Sequence, residues 1–180
     1  MGRVILEMNV TLDGCCDHTH VIPDEELHTY ATNMLDQVDG ALFGRVTYQL
    51  MESAWPAVAS SGTGPQHMVD FARLLDRKPK YVVSRTLQHV SWHNSFLLKG
   101  PENVAELKAK GNTLLVTGGR LGAALANLGL VDEFHLLVQP IVAGRGPRLL
   151  DGIGARLNLK LVETRTFGSG VVLLRYITAG

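Results

Sequence analysis

Short apolar runs alternate with helical patterns along most of this chain of 180 residues. A run without polar alternation is typical of a strand that is buried on both faces, as in a parallel sheet. The clearest run, at 114–117, stops at Gly118 and Gly119, and a helical apolar period begins immediately after them. Because such strand–helix units occur four times and are followed by strands alone, we predict a largely parallel α/β sheet with an antiparallel C-terminal edge. The other strands of these units are predicted at 3–10, which is rich in Val, Ile, Leu and Met, and at the short apolar runs 41–43 and 81–83.

Prolines and glycines mark where these elements begin and end. Pro23 fits the first position of a helix, whereas a proline among small residues predicts a loop at 55–64. Gly129 fits the left-handed residue that ends a helix, and residues 167–170 fit a hairpin turn. No internal repeat, linker or low-complexity tract interrupts the pattern, so we expect a single domain over 1–180.

The charge balance argues against two classes of partner. Seventeen Lys and Arg balance seventeen Asp and Glu, so nothing indicates binding to nucleic acid or to an anionic membrane. No apolar stretch approaches the length of a membrane span, and the first residues lead into a strand pattern rather than a signal peptide. The only cysteines, Cys15 and Cys16, are adjacent and have no third partner. We therefore expect a reducing, cytoplasmic compartment.

Three of the predicted strands end in similar turns. Each turn combines a small residue, backbone amides and an arginine, which is the mixture that phosphate groups require. Parallel strands end at one edge of the sheet, and three such turns there predict a ligand with several phosphates, such as a dinucleotide. The G-x-G-x-x-G and Walker A patterns are absent, so the ligand would bind by another scheme. The turns are Gly44-Arg45-Val46-Thr47, Ser84-Arg85-Thr86 and Gly118-Gly119-Arg120.

The helix that follows Gly118 and Gly119 has no Ser, Thr, Asp or Asn at its N-cap position. Its first amides are then free to meet an anion, and the paired glycines let a ligand approach the backbone closely. The alternative is a tight strand-to-helix turn that binds no ligand.

The turns belong to a series of short motifs spread in order over almost the whole chain. Thr11-Leu12-Asp13-Gly14 is similar to the Ser-Leu-Asp-Gly signature of the riboflavin-biosynthesis reductase domain, the C-terminal domain of bifunctional RibD. Gly44-Arg45-Val46-Thr47 is similar to the Gly-Arg-x-Thr turn of dihydrofolate reductases, and Ser84-Arg85 and Gly118-Gly119 resemble their later turns. Residues 131–147 resemble the Asp-Glu…Pro…Gly-x-Gly-x-Pro segment of the family. The chain thus resembles a small stand-alone member of the dihydrofolate reductase-like superfamily.

This resemblance implies a fold, a cofactor and a set of contact residues. The fold is an eight-stranded, mostly parallel sheet with flanking helices, and the cofactor is NADPH as hydride donor. In this family the Gly-Gly peptide bond is often cis. The implied contacts are Gly44, Arg45 and Thr47 for phosphate, Ser84, Arg85 and Thr86 for the adenosine end with its 2′-phosphate, and Thr117, Gly118, Gly119, Arg120, Leu121 and Gly122 for the pyrophosphate or nicotinamide.

The substrate side carries fewer motifs. Asp13 matches the reductase signature, and it either orients substrate and relays a proton or is a turn residue that supports Gly14. Asn9 and Trp55 are the candidates for the substrate site. The Pro-Trp loop of dihydrofolate reductases is absent, and so are the His-x-Glu and Pro-Cys-x-x-Cys motifs of the zinc deaminase usually fused to RibD.

From this pattern we expect an NADPH-dependent reductase of the riboflavin-biosynthesis type, which transfers a hydride to a small pteridine- or ribosylaminopyrimidine-like substrate. The alternative is an NADPH-binding or sensing module that kept the fold and lost turnover. The sequence feature that permits the alternative is the missing acid and loop pattern of dihydrofolate reductases.

Two further features lie outside this scheme. Residues 15–20, Cys-Cys-Asp-His-Thr-His, contain five potential ligands for zinc or copper. So short a run cannot easily surround an ion and no second cluster completes it, so we predict no metal site. The family often forms homodimers, and the apolar pair Leu149-Leu150 is the candidate interface.

Overall fold

The computed structural model describes residues 2–22 and 24–179, which form eight strands and five α-helices. Pro23, which was expected to open a helix, lies outside the described residues. In chain order the strands are β1 (Val4–Thr11), β2 (Gly40–Gly44), β3 (Lys80–Val83), β4 (Ser95–Leu98), β5 (Leu114–Thr117), β6 (Glu133–Gln139), β7 (Leu159–Thr166) and β8 (Val172–Thr178). The helices are α1 (Glu25–Asp36), α2 (Arg45–Ser61), α3 (Gln66–Arg77), α4 (Glu102–Ala109) and α5 (Gly119–Asn127).

All eight strands join one sheet in the order β4-β3-β2-β5-β1-β6-β8-β7. The first six strands of this order are parallel, and β8 runs antiparallel to both β6 and β7. The prediction of a mostly parallel sheet with an antiparallel C-terminal edge is therefore confirmed. Phe167 and Val171 close the turn between β7 and β8 with a backbone hydrogen bond, which confirms the predicted hairpin.

Helices cover both faces of the sheet, and alternate residues of each strand pack on opposite layers. Ile5 and Phe43 pack in the core beneath α1, α2 and α3. Leu6 and Leu42, one residue away on the same strands, pack in the core beneath α4 and α5. Burial on both faces explains why these strands are rich in apolar residues at consecutive positions of the sequence.

The connections of β1 and β5 leave these neighbouring strands in opposite directions. From β1 the chain passes through α1 to β2, and from β5 it passes through α5 to β6 on the other side of β1. Such a reversal opens a crevice at the carboxyl ends of the strands, which is where ligands bind in open α/β sheets. We therefore expect a ligand site at the carboxyl ends of β1, β2 and β5.

The loop predicted at 55–64 is wrong over most of its length. The helix α2 runs through Pro56 as far as Ser61 and ends at Gly62, which has a left-handed backbone. A proline inside a helix costs about 3 kcal/mol, but α2 packs along α3, where the ring of Trp55 lies 4.8 Å from the ring of Phe71. Packing between the two helices therefore outweighs the local preference. Within the described ranges, no helix has the length and apolar character needed to cross a membrane.

Candidate functional site

A cavity of about 580 Å³ lies between the sheet and the layer formed by α1, α2 and α3. Most of its lining is apolar or aromatic, and Trp55, Met51 and Phe71 form part of the helical side. The lining residues in the described chain include no Lys or Arg. Asn9 and Trp55, the two residues predicted for the substrate site, both line this cavity.

The sheet side of the cavity carries polar side chains among its apolar ones. Glu7 and Asn9 project from β1 on the same face. The Asn9 side-chain oxygen accepts a hydrogen bond of 2.9 Å from Gln139 on β6, and the Gln139 oxygen accepts one of 3.1 Å from the amide of Ile22. This chain of bonds fixes the Asn9 side chain at the cavity wall.

Glu7 is the polar group that our sequence reasoning missed. Its side chain is buried, and its Oε2 atom has no hydrogen-bond partner among the described residues. Burial disfavours the charged carboxylate and raises the pKa of Glu7 to about 7. The signal for Glu7 was available, because polar residues recur at every second position of a strand that is otherwise apolar. The buried polar residues of β1 and β6 on this face are Glu7, Thr11, Glu133, His135 and Gln139.

The three turns predicted for phosphate groups lie side by side at the carboxyl edge of the sheet. They follow β3, β2 and β5, which are consecutive in the strand order. Contact between two of the turns is close, since a Cβ atom added to Gly118 would lie 2.9 Å from Oγ1 of Thr47. The helices α2 and α5 both begin here without a side-chain cap, as predicted for α5. Arg45, Arg85 and Arg120 are exposed along this edge.

Thr47 and Thr117 connect this edge to the cavity. Both belong to the predicted cofactor turns, and both also line the cavity. Thr47 lies in the first turn of α2, which follows β2 directly, and Thr117 ends β5, which is hydrogen-bonded to β2. Thr117 is the register partner of Phe43, which is another lining residue. A ligand that extends from the turns past these threonines would therefore reach the cavity interior.

Some of the predicted cofactor residues are engaged in packing or in hydrogen bonds within their own turn. Gly122 is buried in α5, and an added Cβ atom would lie 2.8 Å from Leu6, so this glycine serves the packing of α5 on the sheet. Leu121 is a core residue of the same layer. The hydroxyl oxygen of Ser84 accepts hydrogen bonds from the amides of Thr86 and Leu87, so it stabilises its own turn.

The peptide bond between Gly118 and Gly119 is trans, and no cis bond occurs within the described chain. The expectation of a cis bond was therefore wrong. Gly118 instead has a φ of 127°, which only glycine adopts without strain. This conformation turns the chain sharply enough for α5 to begin at Gly119.

Asp13 has a structural role in the described chain. Its carboxylate accepts hydrogen bonds from the Thr11 hydroxyl at 2.6 Å and from the amides of Ala143 and Gly144 at 3.0 and 2.8 Å. These bonds, that of Thr11 above all, hold the pKa of Asp13 well below its usual range. Asp13 does not line the cavity, so the geometry favours the turn residue over the proton relay.

The side chains of residues 15–20, the segment rich in cysteine and histidine, do not point toward one common site. Cys15 is buried and pairs with the backbone of Arg148, and the thiol of Cys16 donates to the Pro147 carbonyl oxygen at 3.4 Å. Asp17 caps the short 3-10 helix His18–His20. Over residues 2–22 and 24–179, no group of three or more His, Cys, Asp or Glu side chains could hold a metal ion.

The sheet order, the helical layers on both faces and the cavity between the sheet and one layer define a dihydrofolate reductase-like α/β protein. The chain belongs to the RibD C-terminal domain family, whose model matches residues 3–173. A curated relative is the uncharacterized protein YyaP of Bacillus subtilis strain 168, which is 36% identical over 97% of this chain and 94% of the relative.

Solved structures share the fold at lower identity. A protein of Shewanella sp. PV-4 that is provisionally assigned to riboflavin biosynthesis superposes with a TM-score of 0.74 and 22% identity, over 99% of each chain. The bifunctional deaminase and 5-amino-6-(5-phosphoribosylamino)uracil reductase of Thermotoga maritima superposes with a TM-score of 0.68 and 16% identity. That match covers 99% of this chain and 57% of the Thermotoga chain. At these identities the two structures support the fold.

Proposed function

We propose that this protein is an NADPH-dependent reductase of the riboflavin-biosynthesis type that acts as one domain. It transfers a hydride to a C=N or C=O carbon of a small pteridine- or ribosylaminopyrimidine-like substrate. The observation that carries this proposal is the position of Thr47 and Thr117, which join the phosphate-type turns to the cavity. Family membership supports the reductase class.

The residues at the sheet edge fit NADPH. Two helices begin there with uncapped amides, and such amides bind phosphate oxygens. Gly118 leaves open a space against Thr47 that a Cβ atom would fill. Arg45, Arg85 and Arg120 form no ion pair within the described residues, so their guanidinium groups are available to phosphates. When bound, NADPH supplies the hydride.

The cavity fits the heterocyclic part of the substrate. Its lining is largely apolar and aromatic, with Asn9 and Glu7 as polar groups that can orient ring nitrogens or carbonyls. Because no Lys or Arg in the described chain lines it, a ribosyl phosphate would stay outside the cavity, where water can solvate its charge. A planar pterin would fit within the cavity without any such cation.

A second candidate is an NADPH-binding or sensing module without turnover. The observation that favours it is the engagement of Asp13 with Ala143 and Gly144, which removes the acid of the reductase signature from the cavity. Protein that binds NADPH but oxidises it with no pterin, folate or pyrimidine would support this candidate.

We also propose a cytoplasmic homodimer. Leu149 and Leu150, the predicted interface, pack partly against the core of their own chain. The exposed apolar residues of β7, Leu161 and Val162, are therefore the alternative contact to examine.

The test of the cofactor is a titration with NADPH and with NADH, followed by cofactor fluorescence and by melting temperature. We expect saturable NADPH binding and a loss of about tenfold or more in Arg85→Ala, since one lost charged contact costs at least about 1.4 kcal/mol. If Arg85 selects the 2′-phosphate, affinity for NADH changes little. Arg156→Ala, at an exposed position outside the turns, is the control. Folded protein that gives no saturable response at millimolar NADPH would contradict the proposal.

A further inference from the structure

Two buried glutamates on neighbouring strands have opposite surroundings. Glu133 on β6 forms ion pairs with Arg3 and Arg175, and it hydrogen-bonds to His135 at 3.2 Å. Glu7 on β1 forms no ion pair within the described chain, and its Oε2 atom accepts no hydrogen bond there. The fold thus supplies cations to one of the two carboxyl groups and leaves the other facing a cavity.

An unpaired carboxyl in such a place costs stability unless it is protonated. Apolar side chains line the cavity around it, and Leu27, Leu115 and Leu137 are among them. Burial favours the protonated form and raises the pKa of Glu7 to about 7. Perturbed carboxyl groups in clefts are typical of functional sites, and nothing in the packing of the described core requires an acid here.

The titratable groups that face Glu7 do not neutralise it. His135, its register partner on β6, is already engaged by Glu133 at Nε2 and by the Tyr30 hydroxyl at Nδ1. Burial, and then the neighbouring His67, lower the pKa of His28, so this ring is neutral at neutral pH. Burial, and then the nearby Glu7, raise the pKa of Tyr30 on α1, so its hydroxyl is uncharged at neutral pH. His18, Asp24 and His67 also line the cavity.

We propose that the Glu7 carboxyl, in its protonated form, donates the proton that completes reduction of a heterocycle held in this cavity. The role rests on the reductase function proposed above. Reduction of a C=N bond requires a hydride on carbon, which NADPH supplies, and a proton on nitrogen. Glu7 gives up that proton as the N–H bond forms, becomes a carboxylate, and regains a proton from water when the product leaves.

Among the described lining residues, the other acid is Asp24. Asp24 caps α1 by accepting hydrogen bonds from the amides of Glu26 and Leu27, and hydrogen bonding lowers its pKa, so it is ionised at neutral pH and is no proton donor. Asp13 lies outside the cavity and holds a loop through three hydrogen bonds. His28 is neutral at neutral pH for the reasons given above. Asn9, two residues along β1 from Glu7, lines the same wall and can orient the ring beside the acid. A carboxyl that is half protonated near the working pH suits general acid catalysis.

The test compares Glu7→Gln with Glu7→Asp in the full chain. Gln keeps the shape and polarity of the side chain but cannot donate the proton, whereas Asp keeps the acid on a shorter arm. We measure NADPH affinity by fluorescence, the pH profile of NADPH oxidation with 7,8-dihydropterin, and the infrared band of a protonated buried carboxyl. The control is Glu106→Gln, at an exposed position of α4 on the opposite face of the sheet.

We expect Glu7→Gln to bind NADPH like the wild type and to lose roughly 10²- to 10⁴-fold in rate. The wild-type rate should fall above pH about 7, where Glu7 loses its proton, and this fall should be absent in Glu7→Gln. Glu7→Asp should recover part of the rate, and the carboxyl band that titrates near pH 7 should disappear only in the Gln variant.

Two results would overturn the role of Glu7 while leaving the reductase proposal intact. One is a Glu7→Gln variant that keeps the wild-type rate and pH profile. The other is a wild-type protein whose infrared spectrum lacks a carboxyl band that Glu7→Gln removes. Failure of the wild type to bind NADPH, or binding without turnover of any dihydropterin or pyrimidine, contradicts the reductase proposal and the acid role together.

Discussion

At the scale of the residue, the partners of a side chain decide its role more than its motif does. Asp13 belongs to the most recognisable signature of the chain, yet its carboxylate is occupied by Thr11, Ala143 and Gly144. Glu7 belongs to no motif, yet it faces the cavity without a partner among the described residues. We therefore propose Glu7 rather than Asp13 as the acid, because of the contacts that each side chain makes.

Asp13→Asn tests whether Asp13 is structural. The three hydrogen bonds keep the pKa of Asp13 below its usual value of 3.8, so the carboxylate stabilises the fold fully above pH about 4 and loses this effect as the pH falls further. We expect the variant to melt at a lower temperature at pH 7, with the difference from the wild type shrinking toward acid pH. NADPH oxidation should change by less than about tenfold. A variant of unchanged stability with abolished turnover would restore Asp13 as the proton relay.

Sequence reasoning reached some site residues and not others for a physical reason. Asn9, Trp55, Thr47 and Thr117 were predicted and do line the cavity. The alternation of polar residues could have placed Glu7 on one face of β1, but not shown that it is unpaired, because the sequence does not reveal which arginine reaches which glutamate. The same limit applies to Gly122, since only the packed fold shows that it faces Leu6.

At the scale of the element, the sequence predicted the ends of the strands better than the lengths of the helices. Glycine after an apolar run marks the end of a strand through local geometry alone, as at Gly44 and Gly118. The extension of α2 through Pro56 depends on its packing against α3, for instance of Trp55 on Phe71. Tertiary contacts of this kind override local preference, and a single sequence does not display them.

The turn after β5 allows a test with a matched control. Gly118 has a φ of 127°, and an added Cβ atom would lie 2.9 Å from the Thr47 hydroxyl. Gly111, after α4, has a φ of 94° with no atom within 4 Å of such a Cβ. Both Gly118→Ala and Gly111→Ala should lower the free energy of unfolding by about 1–3 kcal/mol through backbone strain.

Only Gly118→Ala should weaken NADPH binding, by about tenfold or more, because the added methyl group occupies the space between the two turns. Fluorescence titration of both folded variants measures this difference. Equal NADPH affinity in the two variants would show that the turn after β5 takes no part in cofactor binding.

At the scale of the whole molecule, the function depends on how three layers meet. The alternation of strands and helices predicted the parallel sheet. The change to strands without helices near the C-terminus predicted its antiparallel edge. The insertion of β5 between β1 and β2 could not be predicted from residue patterns, although it brings the Gly118 turn beside Gly44 and opens the crevice. The volume of the cavity also depends on how far α1, α2 and α3 stand from the sheet.

The central claim is that a hydride passes from NADPH at the edge into a heterocycle in the cavity. The most direct test is a single turnover with NADPH that carries deuterium on one face of its C4 carbon, in the presence of 7,8-dihydropterin. We predict that the label from one face appears on carbon in the reduced heterocycle and that transfer is slower than with unlabelled NADPH. NADPH that binds and stays unoxidised, or label that is recovered in water, would contradict the account.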